Sequence, residues 1–381
     1  MAASGSTRRQ FLKIVALGAA ATTEQTIANA AEEEQKASLD RNFFVRPEEL
    51  TLRLSHGEGE RRLSFSHFSG PAEAWKKACR EKLAELLGFS PPSPCPAQRL
   101  RSTQHQGVTI EAWVMEISES VLIPAYLLLP KSLSARGRAV MAIHGHGQAE
   151  ACAGLWDDYH HSFALKLAQA GHLVLCPALR GFGALADMAF SDQSRCLDYW
   201  KSVRGRQFTL ISDSFLYGKT LIGQTVEDLL RWEMWLGQTG DVHDLDVAGI
   251  SYGGDLALTY PVFSDRIRKI YASGTLGSFS VIFSRCYNAP AHCIPGILSW
   301  MDRSDIAGLN APRPIRLHYG EKDTPGPRNN SASYNETVEP SLAELRTIYR
   351  AFGAAEQVSL FVTPRKGHEM DNDDLLAFLR D

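Results

Sequence analysis

Gly249-Ile250-Ser251-Tyr252-Gly253 follows the apolar run Asp246–Ile250 and leads into a helix-compatible segment from Leu256 onwards. A serine between glycines two positions before and two after it fits the nucleophile-elbow pattern G-x-S-x-G. The spacing has a steric cause. The serine sits on a sharp turn from strand to helix, and larger residues at either glycine would collide across that turn. The strand before and the helix after make the match stronger than the bare motif. Ser251 is therefore the candidate nucleophile.

A serine hydroxyl is a weak nucleophile at neutral pH. It needs a base to take its proton and a third group to orient that base. In this arrangement the chain order is serine, acid, histidine. His368, in Arg365-Lys366-Gly367-His368-Glu369, is the only histidine after His318 and follows the last expected strand. Asp323, in Gly320-Glu321-Lys322-Asp323, follows the strand before that. Successive strand ends put both within reach of Ser251, with Asp323 fixing the tautomer of His368. The rival acids are Glu321, Asp305 and Asp371; Asp305 is better explained by capping a short turn, Ile306–Leu309. For the oxyanion, one donor is expected at the backbone N–H of Tyr252 and a second at His146, in His144-Gly145-His146-Gly147. An H-x-H pair can also open a zinc site, with His160 and His161 as helpers. A catalytic zinc needs three protein ligands, and no H-E-x-x-H occurs here. The expectation is no metal and no cofactor.

Outward from the elbow, strands and helices alternate. Val108–Ile117 and Val121–Leu129 read as an antiparallel pair. Ala139–Ile143, His172–Cys176, Asp246–Ile250, Ile267–Tyr271, Pro314–Tyr319 and Gln357–Val362 read as further strands. Helical spacing covers Trp75–Leu87, Phe163–Ala170, Val226–Leu236, Ser341–Ala351 and Asp373–Leu379, and Gly88 stops the first of these. The pattern implies an α/β fold, a mostly parallel twisted sheet with helices on both faces. A helical preamble and lid-like insertions are added to it. The insertions are Gly181–Lys219 and Ser278–Asn310, both too long for plain connections. The expected division is an export signal at 1–30, an N-terminal extension packed on the catalytic domain at 31–107, and that domain at 108–381.

The export signal rests on three features in order. Arg8-Arg9 precede Phe11-Leu12, a mildly apolar stretch runs from Ile14 to Ala21, and Ala28-Asn29-Ala30 offers a cleavage site. The pattern resembles a twin-arginine signal, which makes the twin-arginine export machinery an expected partner and a place outside the cytoplasm the expected destination. The stretch is too short to be a stable membrane anchor. With a formal net charge of −3 in 381 residues, nothing points to nucleic acid. The seven cysteines form no C-x-x-C pair, and Cys286 and Cys293 lie close enough in sequence to bridge.

Together, His144-Gly145-His146-Gly147, Arg180-Gly181-Phe182-Gly183, Gly249-Ile250-Ser251-Tyr252-Gly253-Gly254, Ala311-Pro312-Arg313-Pro314, Gly320-Glu321-Lys322-Asp323 and Gly367-His368 resemble the α/β-hydrolase superfamily. The resemblance is to its acetylxylan esterase and dienelactone hydrolase-like members and covers most of residues 75–381. It implies hydrolysis of a carboxylic ester through an acyl-enzyme on Ser251, with His368 moving the proton, Asp323 orienting it, and Arg180 holding loops near the site. Acetylated carbohydrate is the substrate class it suggests, with Trp156, Trp200 and Trp300 available for stacking on sugar. The chain departs from the deacetylase pattern at His146, where an aromatic is usual, and from the usual dienelactone hydrolases in having serine rather than cysteine. Ser251-Tyr252-Gly253-Gly254 also resembles prolyl-oligopeptidase-type peptidases, but residues 31–107 are too few for their propeller. A third reading is a binding protein on a hydrolase fold.

Overall fold

Strand Asp244–Ile250 (β6) is buried along nearly its whole length, and its side chains divide between two cores. Leu245 and Val247 point into one, Ala248 and Ile250 into the other. Arg138–Ile143 (β4) does the same, with Ala139, Met141 and Ile143 on one face and Val140 and Ala142 on the other. Strands that bury both faces read as continuous apolar runs and need helices on each side. The computed structural model describes residues 61–119, 121–185, 203–239, 242–281, 290–323 and 337–380. The chain divides into units 1–54 and 55–381, and every described residue belongs to the second.

The sheet has nine strands among the described residues, in the order β1-β2-β3-β5-β4-β6-β7-β8-β9. The others are Ala97–His105 (β1), Val108–Ser118 (β2), Val121–Leu129 (β3), Leu173–Pro177 (β5), Ile267–Ser273 (β7), Ile315–Gly320 (β8) and Val358–Thr363 (β9). β1, β2 and β3 pair antiparallel in sequence, and β3 pairs antiparallel with β5. From β5 through β4 to β9 every pairing is parallel. The winding moves from β4 to β5 on one side and then returns to β6 on the other. In an open sheet of this kind ligands usually bind at such a reversal, beyond the carboxyl ends of β4 and β6.

One face carries Ala72–Leu87 (α1), with Trp75, Cys79, Leu83 and Leu87 fully buried in the larger core. Its αL residue is Gly88, at φ 62°, and the Phe89 N–H returns to the Ala84 carbonyl. Ala149–Cys152 (α2), Phe163–Gln169 (α3) and Asn372–Arg380 (α9) bring residues to the smaller core on the other face. The remaining helices are Val203–Leu216 (α4), Leu221–Thr239 (α5), Tyr252–Thr259 (α6), Arg303–Gly308 (α7) and Val338–Ala351 (α8).

Two expectations change, at the domain border and at a helix cap. The border at 107/108 falls in the turn of a β-hairpin, because β1 pairs with β2 from Ala97 to His105, so the sheet begins before it. The first insertion contains regular helix, Val203–Leu216. The cap of α7 is Asp302, and Asp305 is the third residue of the helix, completing a reciprocal capping box. The export signal, Trp200, Cys196 and Cys286 lie outside the described residues; Cys293 carries a free thiol. Among the described residues no helix is long and apolar enough to cross a membrane.

Candidate active site

Ser251 joins β6 to α6 at φ 59° and ψ −121°, a conformation L-residues adopt only under constraint. The constraints are visible in its neighbours. A Cβ on Gly249 would overlap the Gly253 carbonyl, and a Cβ on Gly253 would overlap the carbonyls of Ile143 and His144. The turn is therefore wedged against the end of β4, and the Ser251 N–H is held by the Ser273 carbonyl at 2.9 Å. Tyr252 begins α6, so its N–H has no partner within the helix.

His368 and Asp323 meet. The imidazole Nδ1 lies 2.9 Å from Asp323 Oδ2, and both side chains are largely buried. Since a carboxylate only accepts, Nδ1 donates. This leaves Nε2 as the atom that can take a proton, and among the described residues it has no hydrogen-bond partner. Gly274 (φ +59°) leaves room for the pair: a Cβ there would sit 2.6 Å from His368 Cε1 and 2.8 Å from Nδ1. The rival acids are occupied elsewhere. Glu321 accepts from the Arg365 N–H, Asp371 from Thr363 and the N–H groups of Asp373 and Asp374, and Asp305 from Phe65 and Asp302. Burial pushes the Asp305 carboxyl up to about 6.

The histidines after β4 are sorted by their partners. His144 Nδ1 donates to the Gly145 carbonyl, and Nε2 accepts the Leu179 N–H. Both ring nitrogens are spent on backbone, and burial first, then the neighbouring His160, pushes the ring down to about 3. His160 Nδ1 faces Asp158 at 2.7 Å, and Nε2 accepts the Gly145 N–H at 2.8 Å. The Gly145 N–H is therefore taken, and the next N–H along the loop is that of His146. The His146 carbonyl accepts from the Tyr159 hydroxyl at 3.0 Å. Arg180 forms a two-point ion pair with Asp228 of α5, at 2.6 and 3.1 Å. Among the described residues no group of three or more His, Cys, Asp or Glu could hold a metal ion.

A buried ion network underlies the elbow. Asp255, in the first turn of α6, accepts two bonds from Arg303, at 2.9 and 2.8 Å, and further bonds from Thr275 and His292. Burial by itself would raise this carboxyl, but Arg303 and His292 outweigh it and hold it well below the usual carboxylate range. The His292 ring lies near-parallel to His146 at 5.6 Å and edge-on to Tyr252 at 5.0 Å; Phe182 stacks on Tyr252 at 5.1 Å. Sequence reasoning missed Asp255, His292 and Arg303. The available signal was Asp255 itself, an acid inside Tyr252-Gly253-Gly254-Asp255-Leu256-Ala257-Leu258, which has to find a partner once buried. Trp300 is covered by Arg62 and Lys82, at 4.9 and 4.1 Å from the ring, whereas Trp156 is exposed.

No family model and no curated protein matches the chain. Solved structures do. The chain is similar to a Bacteroides fragilis protein assigned as an acetyl xylan esterase, with a TM-score of 0.70 and 17% identity over 88% of this chain and 94% of that one. It is similar to a glucuronoyl esterase from Solibacter usitatus, with a TM-score of 0.56 and 12% identity over 84% and 96%. An acetyl xylan esterase from Paenibacillus sp. R4 gives 0.51 and 17% over 86% and 97%. At such identities the likeness shows the fold, which is that of the α/β-hydrolases.

Proposed function

We propose that the protein is a serine carboxylic-ester hydrolase that works through an acyl-enzyme. Ser251 Oγ attacks the ester carbonyl while His368 Nε2 takes its proton. Asp323 accepts the His368 Nδ1–H and stabilises the imidazolium that forms. The tetrahedral oxyanion receives the N–H groups of Tyr252 and His146. The imidazolium then protonates the leaving alcohol, and a water activated by the same histidine releases the acid. The observation that supports this most is the His368–Asp323 pair, whose remaining imidazole nitrogen is left open among the described residues, in a fold whose strained serine turn is wedged by Gly249 and Gly253. A fluorophosphonate probe tests it: the wild type should be labelled and Ser251→Ala should not. Equal labelling of both would remove Ser251 from the mechanism.

The substrate class we favour is a carbohydrate ester, because the similar structures are named as esterases of xylan acetyl and glucuronoyl groups. A panel of short acyl p-nitrophenyl esters, acetylated xylan fragments, methyl uronates and peptide amides decides it. Best turnover of the amides would favour a peptidase instead. The proposed site of action is outside the cytoplasm, by the twin-arginine route; Arg8→Lys with Arg9→Lys should block export, and unchanged export would exclude that route.

A further inference from the structure

The loop before α3 reaches both loops of the proposed site. The Tyr159 hydroxyl donates to the His146 carbonyl at 3.0 Å, on the loop after β4. The Tyr159 ring stacks on His368, with centroids 5.5 Å apart and planes at 27°, and its carbonyl accepts the Met370 N–H at 2.9 Å. Its neighbours divide the same task. His160 Nε2 takes the Gly145 N–H, while His161 Nε2 faces Glu369 at 2.5 Å and the His161 carbonyl accepts from Asn372. Of the three, Tyr159 is the residue whose side chain touches both loops. A Cβ on Gly145 would overlap the Tyr159 hydroxyl and lie 2.9 Å from Ser251 Cβ, so that hydroxyl also sits beside the nucleophile turn.

From these contacts we infer that Tyr159 is a positioning residue that keeps the oxyanion loop and the His368 loop in register, an inference that rests on the esterase reading above. The sheet cannot supply this register directly. β4 and β9 are separated by β6, β7 and β8, so their carboxyl-terminal loops share no ladder. Oxyanion donors act only when aimed at the place where negative charge develops, and a shift of about 1 Å can cost about 100-fold in rate. His368 is fixed by Asp323 at Nδ1 and by the face of Tyr159 across its ring. The loop that carries Tyr159 holds two successive non-glycine residues in the left-handed region, His161 at φ 50° and Ser162 at φ 52°. Such backbone persists only where its surroundings dictate it. Here the surroundings are the hydrogen bonds to both loops.

The test uses the full chain, with Tyr159→Phe and Tyr159→Leu assayed on p-nitrophenyl acetate and titrated with an arylboronic acid, which forms a tetrahedral adduct on a reactive serine. Tyr159→Phe keeps the ring and loses the bond to His146; its kcat should fall about 10-fold, KM should stay within about twofold, and boronate affinity should fall in step with kcat. Tyr159→Leu loses the stacking as well, and its kcat should fall about 100-fold. Wild-type kcat and boronate affinity in Tyr159→Phe overturn the inference. So does a loss confined to KM with boronate affinity unchanged, which marks a binding or purely structural role. Should the leucine variant fail to fold, the phenylalanine variant decides alone. A wild type that the fluorophosphonate leaves unlabelled overturns the esterase reading first and this inference with it; labelled wild type with unaffected variants overturns this inference only.

Discussion

Replacing Arg303 with methionine removes the cation of the ion network beneath the elbow while keeping most of the side chain's length. Arg303 is 3% exposed, holds Asp255 with two bonds, and lies 4.0 Å from the ring centroid of Phe279. Removing one partner of a buried ion pair costs about 3–5 kcal/mol, because the other charge is left uncompensated. Asp255 would retain its bonds from Thr275 and His292, so we expect the lower end, about 3 kcal/mol at pH 8. The cost should also depend on pH. In the native protein burial keeps the His292 ring less basic than usual, and Arg303 opposes its protonation while Asp255 favours it. Without Arg303, His292 becomes the group that can neutralise Asp255. The folded variant then binds a proton more readily, so its deficit relative to wild type shrinks as pH falls from 8 to 6. Urea unfolding of both proteins at the two pH values measures this, and titrations common to both cancel in the difference. A deficit under about 1 kcal/mol at pH 8, or one that grows on acidification, would refute the reasoning.

Asp323→Asn should lower kcat by about 10³–10⁴-fold, since an amide can hold the imidazole in the wrong tautomer. Glu321→Gln should stay within about twofold, and steady-state turnover of an activated acetyl ester separates the two. Gly274→Ala places a methyl group against the His368 ring at a positive φ, and kcat should fall about 100-fold with the serine still present; unchanged turnover would mean the ring has room to move. Burial pushes His144 down to about 3 and His318 to about 4. The unfolded chain binds these protons near pH 6.5, so the stability they confer is complete above that and is lost as pH falls towards the folded values. Between pH 7.5 and 5 each should contribute a loss of about 2 kcal/mol, and His318→Gln should flatten the urea-derived stability curve across that window.

What the sequence revealed depended on burial. β4, β6 and β8 are largely buried and rich in apolar residues, and reading them located the elbow and the loop of Asp323 to within a residue or two; β9, which leads to His368, is only half-buried but dense in Val, Leu and Phe. β1 escaped because Ala97-Gln98-Arg99-Leu100-Arg101-Ser102-Thr103-Gln104-His105 has no apolar alternation; the strand is exposed and is held by its ladder to β2 rather than by a core. Tyr159 and His160 escaped for a different reason. In the sequence His160 suggests only a metal ligand, while the structure spends both its nitrogens on Asp158 and Gly145. Contacts between loops that are distant in sequence leave no periodic trace. Asp255 and Arg303 are similarly far apart in the chain, and only the burial of a charge inside an apolar helix pointed to a partner.

Strand β1 forms one rim of the sheet among the described residues. An open sheet ends in a row of unpaired backbone groups, which can template the growth of another chain's strand. At this rim the strand is interrupted between Arg99 and Arg101, where its register with β2 shifts, and Arg99 is paired with Glu111 at 2.7 Å. A bulge twists the edge, and a charge on it would have to be stripped of water before a second sheet could dock. Among the described residues, the polar edge that contributes little to the core is thus a poor template for stacking rim to rim.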